Sequence, residues 1–189
     1  MSRNHKKLSE AGIDMQTEQT HRIHHPFSPF VPEDCHSLLL GSFPGKASTR
    51  SVVLQPEDWY YGAPRNQFWP IMRMLFPDRD LSTKAAKMTL FVDSGIAVSD
   101  IILSCIRSEN SNMDSNLTKR AYNTAIIRRI LKENPIRTIF FTGKGVQQEF
   151  VRHFHFDHAI KLITLPSPSP AYCKMSIREK AEAYRANLL

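Results

Sequence analysis

The sequence predicts an α/β fold with a mainly parallel sheet covered by helices on both faces. Two observations carry this. Short apolar runs bounded by Gly and Pro alternate with longer stretches of helical periodicity. The runs are continuous rather than alternating, as strands buried on both faces are. Alternation of strand and helix is the pattern of a parallel sheet.

The elements follow in order. Ser37–Phe43 (SLLLGSF) reads as a buried strand that feeds a loop at Pro44. Pro44 to Ala63 is loop, and Pro64 can open a helix because its missing N–H is not needed there. Arg65–Phe76 carries Phe68, Trp69, Met72 and Leu75 at helical spacing. Ser82 or Thr83 caps the next helix, which runs to Asp93 and stops at Gly95. Ile96–Leu103 (IAVSDIIL) is a second strand, and Ser108–Leu117 a polar loop. Lys119–Asn134 reads as a helix whose stripe is Tyr122, Ile126, Ile127, Ile130 and Leu131. Ile136–Thr142 is a strand rich in branched and aromatic residues. Gly143 turns it into the helix Lys144–Phe154. Ala159–Leu165 is the last strand, and Ser176–Leu189 the closing helix.

The chain has 189 residues, enough for one domain that buries about 70% of its unfolded surface without disulfide or metal. No run approaches the ~20 apolar residues of a membrane span. Cys35, Cys105 and Cys173 form no CxxC pair and supply too few thiols for an Fe–S cluster or an all-cysteine zinc site. The expected setting is a reducing cytosol, since Met1–His25 lacks an apolar signal region. Residues 1–26 read as a flexible polar tail and 27–189 as the folded domain; His5, His21, His24 and His25 read as solvated tail residues rather than metal ligands. The net charge of +7 is compatible with a polyanionic partner.

In parallel sheets ligands bind beyond the carboxyl ends of the strands. The loops after Phe43, Thr142 and Leu165, joined by that after Leu103, should therefore form the site. Gly41-Ser42-Phe43-Pro44-Gly45-Lys46-Ala47-Ser48 superficially suggests a phosphate-binding P-loop, but three residues separate the glycines and Ala47 follows the Lys. Its backbone N–H groups can still meet a phosphate or a base edge. Trp59, Tyr60, Tyr61, Phe68 and Trp69 flank Arg65 and Asn66. This is either a core helix start, or a site where Asn66 holds water or a base edge and the aromatics stack a flipped base. Leu165-Pro166-Ser167-Pro168-Ser169-Pro170-Ala171 is a stiff loop whose hydroxyl and N–H groups suit phosphate contacts. His153, His155 and His158 lack metal-ligand spacing on one helix, because 153 and 155 face apart. No metal or cofactor is expected.

Together these segments resemble the uracil-DNA glycosylase superfamily, and within it the hypoxanthine-DNA (DNA-deoxyinosine) glycosylase branch. The pieces are GSFPGKAS at Gly41–Ser48, YYGAPRNQFW at Tyr60–Trp69, Ser99–Leu117, FFTGKG at Phe140–Gly145 and LPSPSPA at Leu165–Ala171. The chain departs from the branch at Ala63, where His is usual, at Gly45, and at Ser108-Glu109, where Glu-Gly is usual. These changes bear on base preference more than on fold.

The resemblance implies a three-layer α/β/α sandwich around a mostly parallel four-stranded sheet. It implies a monofunctional base excision repair enzyme, a monomer without membrane attachment. Acting on DNA with deaminated bases, it would extrude the base, hypoxanthine foremost, and hydrolyse the N-glycosidic bond to leave an abasic site. Asn66 matches the branch's catalytic Asn and would orient the attacking water. Asp100, near a strand end, is the rival carboxylate: a base, or a cap for the next loop. Gly41, Ser42, Phe43, Pro44, Gly45 and Tyr61 would hold the base, with Phe43 or Tyr61 stacking on it. Lys46, Ser48, Arg65, Lys144, Ser167, Pro168, Ser169 and Tyr172 would contact DNA, Tyr172 as a wedge in the base stack. Cys105 reads as buried packing. The alternatives are a uracil or thymine mismatch glycosylase and a non-catalytic DNA-binding module of the same fold.

Overall fold

Ser37–Gly41 (β2) is buried at every position, and the main sheet is built around it. The computed structural model describes residues 22–49, 54–108 and 113–189. Before β2 comes β1 (Arg22–His24), and after it α1 (Lys46–Thr49), α2 (Phe68–Leu75), α3 (Lys84–Asp93), β3 (Ile96–Asp100) and β4 (Ile102–Arg107). A 3-10 turn at Asp114–Asn116 leads to β5 (Leu117–Tyr122), α4 (Thr124–Glu133), β6 (Thr138–Phe141), α5 (Lys144–His153), β7 (Lys161–Thr164) and α6 (Ile177–Leu188).

The main sheet has four parallel strands in the order β3-β2-β6-β7. Successive β2 side chains point to opposite faces. Leu38 and Leu40 join Ile139 and Phe141, against Ile127 and Ile130 of α4 and Phe150 of α5. Leu39 joins Val98 and Phe140 on the other face, against α2, α3 and α6 through Ile71, Phe91 and Tyr184. The result is the expected α/β/α sandwich. Thr83 caps α3 by accepting from the Ala86 N–H. Ser176 and Glu179 cap α6 reciprocally. Among the described residues no helix is long and apolar enough to cross a membrane.

Four expectations need correction. Of the tail expected over 1–26, residues 1–21 lie outside the described residues, but Arg22–His24 pair antiparallel with β4, Ile23 opposite Cys105, so His24 and His25 are not solvated tail residues. The single strand expected over Ile96–Leu103 is two. The chain leaves the parallel sheet after Asp100, turns at Ile101, and enters a three-stranded antiparallel sheet of order β1-β4-β5. The helix expected from Lys119 begins at Thr124, because Leu117–Tyr122 pairs with β4 instead. Tyr122 fits the helical stripe by spacing, but pairing along β4 satisfies its backbone. Lastly, Pro64 does not open α2, which starts at Phe68, and α1 interrupts the expected loop.

A staple joins β5 to α5. The Tyr122 hydroxyl donates to Glu149, which also meets Arg152 at 2.9 Å and Arg120 at 3.6 Å. The Tyr122 hydrogen bond foremost, then the arginines and His153, hold the Glu149 carboxyl below its ordinary pKa against some desolvation. His153, one of the three clustered histidines, stacks on Tyr122 at 4.1 Å.

Two outcomes are expected. Phe141→Ala, in the centre of the sheet, should cost about 3–5 kcal/mol in urea denaturation, while Val151→Ala on the exposed face of α5 should cost under about 0.5. Because the Glu149 pKa is depressed in the fold, its contribution is present above the unfolded carboxyl pKa of about 4.3 and fades as pH falls through the lower folded value. Tyr122→Phe should therefore destabilise more at pH 7 than at pH 2–3; an equal loss at both would show that the bond to Glu149 is not the source.

Candidate functional site

The carboxyl ends of β2 and β3 meet where Gly41 stands opposite Asp100. A Cβ on Gly41 would lie 2.2 Å from Asp100 Oδ1 and 2.8 Å from the Tyr61 hydroxyl. Glycine is thus required by close approach: a carboxylate and a phenol converge over its backbone. Asp100 is buried, and its other oxygen, Oδ2, lies 2.9 Å from His25 Nε2. His25 Nδ1 sits 2.8 Å from the Phe27 carbonyl and 3.1 Å from the Phe27 nitrogen. The His25 ring packs between Phe43 and Tyr60, with centroids 5.6 Å from each.

Tyr61 reaches this point from a strained backbone. Its φ is +59°, uncommon for a bulky residue, and its ring stacks on Phe68 at 4.2 Å. Its hydroxyl oxygen is buried and, among the described residues, makes no hydrogen bond of good geometry. Burial first, and the Asp100 charge second, push its pKa well above the ordinary tyrosine value, with Thr142 opposing slightly. It is a neutral donor. A buried donor left without a partner is costly unless a ligand or water completes it.

The loop after β2 faces its carbonyls inward. Ile101 N–H donates to the Gly41 oxygen and Ile102 N–H to that of Ser42, while Arg107 Nη2 donates to that of Pro44 at 2.8 Å. The N–H groups of Ser42, Phe43 and Gly45 take no partner among the described residues. Phe43 itself is core, under Arg107. Asp114 reaches Ser42. The residue presents surface to solvent, but its carboxyl end lies among protein atoms. That desolvation raises its pKa, the Ser42 bond counters it, and the Asp100 charge adds to it. Lys46 and Ser48 lie in α1, both half-buried.

Asn66 precedes α2. Its Oδ1 accepts from the N–H of Phe68, the first residue of α2, at 2.9 Å, closing a side-chain turn just before the helix. This fixes the amide plane and leaves Nδ2 without a partner among the described residues. Next to it, Gln67 N–H donates to the Pro168 carbonyl, and Gln67 Oε1 accepts from Lys180 Nζ at 2.7 Å. The Asn66 loop and the loop after β7 are therefore stapled together. Lys180 is almost fully buried, lies 3.4 Å from the Ser169 carbonyl and sits over the Tyr172 ring. The Tyr184 hydroxyl donates to the Pro166 carbonyl.

The remaining expected DNA contacts divide. Pro168, expected at the surface, is buried instead, because its carbonyl is committed to Gln67. The Ser167 and Ser169 hydroxyls each accept from the backbone N–H two residues on, which shapes the loop and leaves their O–H protons to donate. Gly143 packs on Ser167, bringing the loop after β6 alongside. Arg65 and Lys144 are exposed on this end of the molecule, and Tyr172 is half-buried. Cys105 is fully buried; desolvation chiefly raises its thiol pKa.

Sequence alone does not single out His25, Gln67 or Lys180. Each is recognised only by a partner: Asp100 for His25, and each other for the last two. Among the described residues no cluster of His, Cys, Asp or Glu is placed to hold a metal ion.

No protein-family model matches this chain, and no curated protein matches it. A solved structure does: the solution NMR structure of a protein from Methanosarcina acetivorans, provisionally described as a uracil DNA glycosylase. The two superpose with a TM-score of 0.64 at 23% sequence identity, over 88% of this chain and 96% of that one. The parallel sheet β3-β2-β6-β7 and its flanking helices thus form a fold shared with that archaeal protein.

Proposed function

We propose that this chain is a monofunctional DNA glycosylase that extrudes a deaminated base, hypoxanthine first, and hydrolyses its N-glycosidic bond to leave an abasic site. The single observation that carries this is the convergence of Asp100 Oδ1 and the unpartnered Tyr61 hydroxyl over Gly41, beside a loop whose N–H groups are open. The motif resemblance and the fold it shares with the archaeal protein support the same reading.

The chemistry follows from that arrangement. A glycosidic carbon inside stacked DNA is reached only after the nucleotide is flipped out. Its hydrolysis passes through an oxocarbenium-like transition state. Asp100, whose carboxylate His25 holds, supplies negative charge to that cation. Asn66, its plane set by the Phe68 N–H, orients the water. The Ser42, Phe43 and Gly45 N–H groups donate to acceptors on the leaving base, such as O6 of hypoxanthine, and so stabilise the negative charge it takes up. Arg65 and Lys144 meet phosphates. No lysine nucleophile is used, so strand cleavage requires later alkali.

A uracil substrate is the second reading: O4 of uracil presents an acceptor as O6 does, and the archaeal protein of this fold is described by that base. A non-catalytic module is the third, favoured by the structural duty of Asn66, whose Oδ1 is spent on the Phe68 N–H.

Strand scission after alkali, on duplexes holding one hypoxanthine, uracil or xanthine, separates the three. The expected result is cleavage at hypoxanthine that needs alkali and falls about 10²-fold or more in Asn66→Ala, with helix content and duplex binding retained. Cleavage confined to uracil would select the second reading. Salt-sensitive binding without cleavage on any base would select the third. Gly41→Ala, whose new methyl collides with Asp100, should also lose about 10²-fold in single-turnover rate; wild-type turnover there would detach Asp100 from the chemistry.

A further inference from the structure

We propose that His25 is a positioning residue: it clamps Oδ2 of Asp100 so that Oδ1 stays over Gly41 beside the Tyr61 hydroxyl, where substrate or its attacking water meets the carboxylate. This rests on the glycosylase reading for its chemistry, but the geometry stands by itself. The His25 side chain is 5% exposed and that of Asp100 7%, and they meet at 2.9 Å. The other ionisable groups facing Asp100 are Tyr60, Tyr61 and Asp114. Among the described residues none of them hydrogen-bonds to its carboxylate, whereas His25 does.

The clamp works in either charge state of the imidazole. Neutral, the ring accepts the Phe27 N–H at Nδ1 and donates Nε2–H to Asp100. Protonated, it donates Nδ1–H to the Phe27 carbonyl and still donates Nε2–H to Asp100. The ring therefore offers the carboxylate a donor throughout. Its orientation is locked by Phe27 on one side and by Phe43 and Tyr60 around it. An unpaired carboxylate at this burial would be strongly disfavoured. His25 reaches it because β1 is pinned to β4, with His24 opposite Ser104 and the His25 N–H donating to the Leu103 carbonyl.

The test pairs single-turnover excision from a hypoxanthine duplex with duplex affinity. His25→Ala should lower the rate by about 10- to 100-fold with little change in Kd. His25→Gln, whose amide can donate in place of Nε2–H, should regain most of the rate. His25→Phe keeps the ring packing without a donor and should behave like Ala, which covers the case where Ala does not fold. In an Asp100→Asn background His25→Ala should cost nothing further. Wild-type rates in both Ala and Phe, or a loss as large without the Asp100 carboxylate, would overturn the proposal. If the wild type cuts no base at all, the glycosylase reading fails and the crystal structure of His25→Phe decides on His25. An Asp100 carboxylate turned away from Gly41 upholds the clamp; one that keeps its place overturns it.

Discussion

The last rung of the β2–β3 ladder, Gly41 against Asp100, is the contact on which the site depends. Two parallel strands end together there, and the absence of a side chain on one lets the carboxylate of the other fold across its backbone. Any Cβ at Gly41 would lie 2.2 Å from Oδ1, well inside van der Waals contact distance. The Tyr61 hydroxyl and the loop of open N–H groups arrive at the same place because the chain turns away immediately on both strands. After Gly41 it enters the 42–45 loop, and after Asp100 it bends at Ile101, whose N–H returns to the Gly41 carbonyl. Parallel sheets place ligands at this end, and here the backbone geometry of two residues supplies the reason.

Around that rung the protein has spent its aromatic side chains on rigidity. Tyr61 is held by Phe68, His25 by Phe43 and Tyr60, and Trp59 by Trp69. The result is a stiff wall along this end of the sheet, with little freedom for Asp100 or Tyr61 to move. On the opposite rim, the buried Lys180 ties Gln67 to the proline-serine loop. Its pKa is lowered by desolvation above all, and its partners are neutral oxygens. Its work is to fix two loops that carry their own exposed groups outward.

Much of this was legible in the sequence. The run at β2 is apolar at successive positions and reads as a buried strand, β6 and β7 read as strands from their branched and aromatic residues, and Gly143 and Ser176 mark helix starts in sequence and structure alike. The motifs GSFPGKAS, FFTGKG and LPSPSPA fall where those strands end, which is where the sequence led us to look for a site. What stayed hidden depends on contacts distant in sequence. Ile96–Arg107 is apolar on both sides of Ile101, so nothing local marks the passage from one sheet to the other. Tyr122 lies four residues before Ile126 and fits a helix; only the neighbouring β4 makes it strand. His25 follows a polar stretch and is drawn in by pairing with β4, some eighty residues away. Asn66 was legible as a candidate, but the bond its Oδ1 accepts from the Phe68 N–H was not.

The most direct test of the account maps where a damaged duplex sits. Backbone amide shifts of the wild-type protein would be followed on adding a duplex with one 2′-fluoro-deoxyinosine, whose fluorine destabilises an oxocarbenium-like transition state and so slows cleavage. The account predicts perturbations concentrated at residues 41–45, 61–67, 142–145 and 167–172, absent with the undamaged duplex at the 41–45 loop. Perturbations of the same size and place with both duplexes, or centred away from the carboxyl end of the parallel sheet, would contradict it.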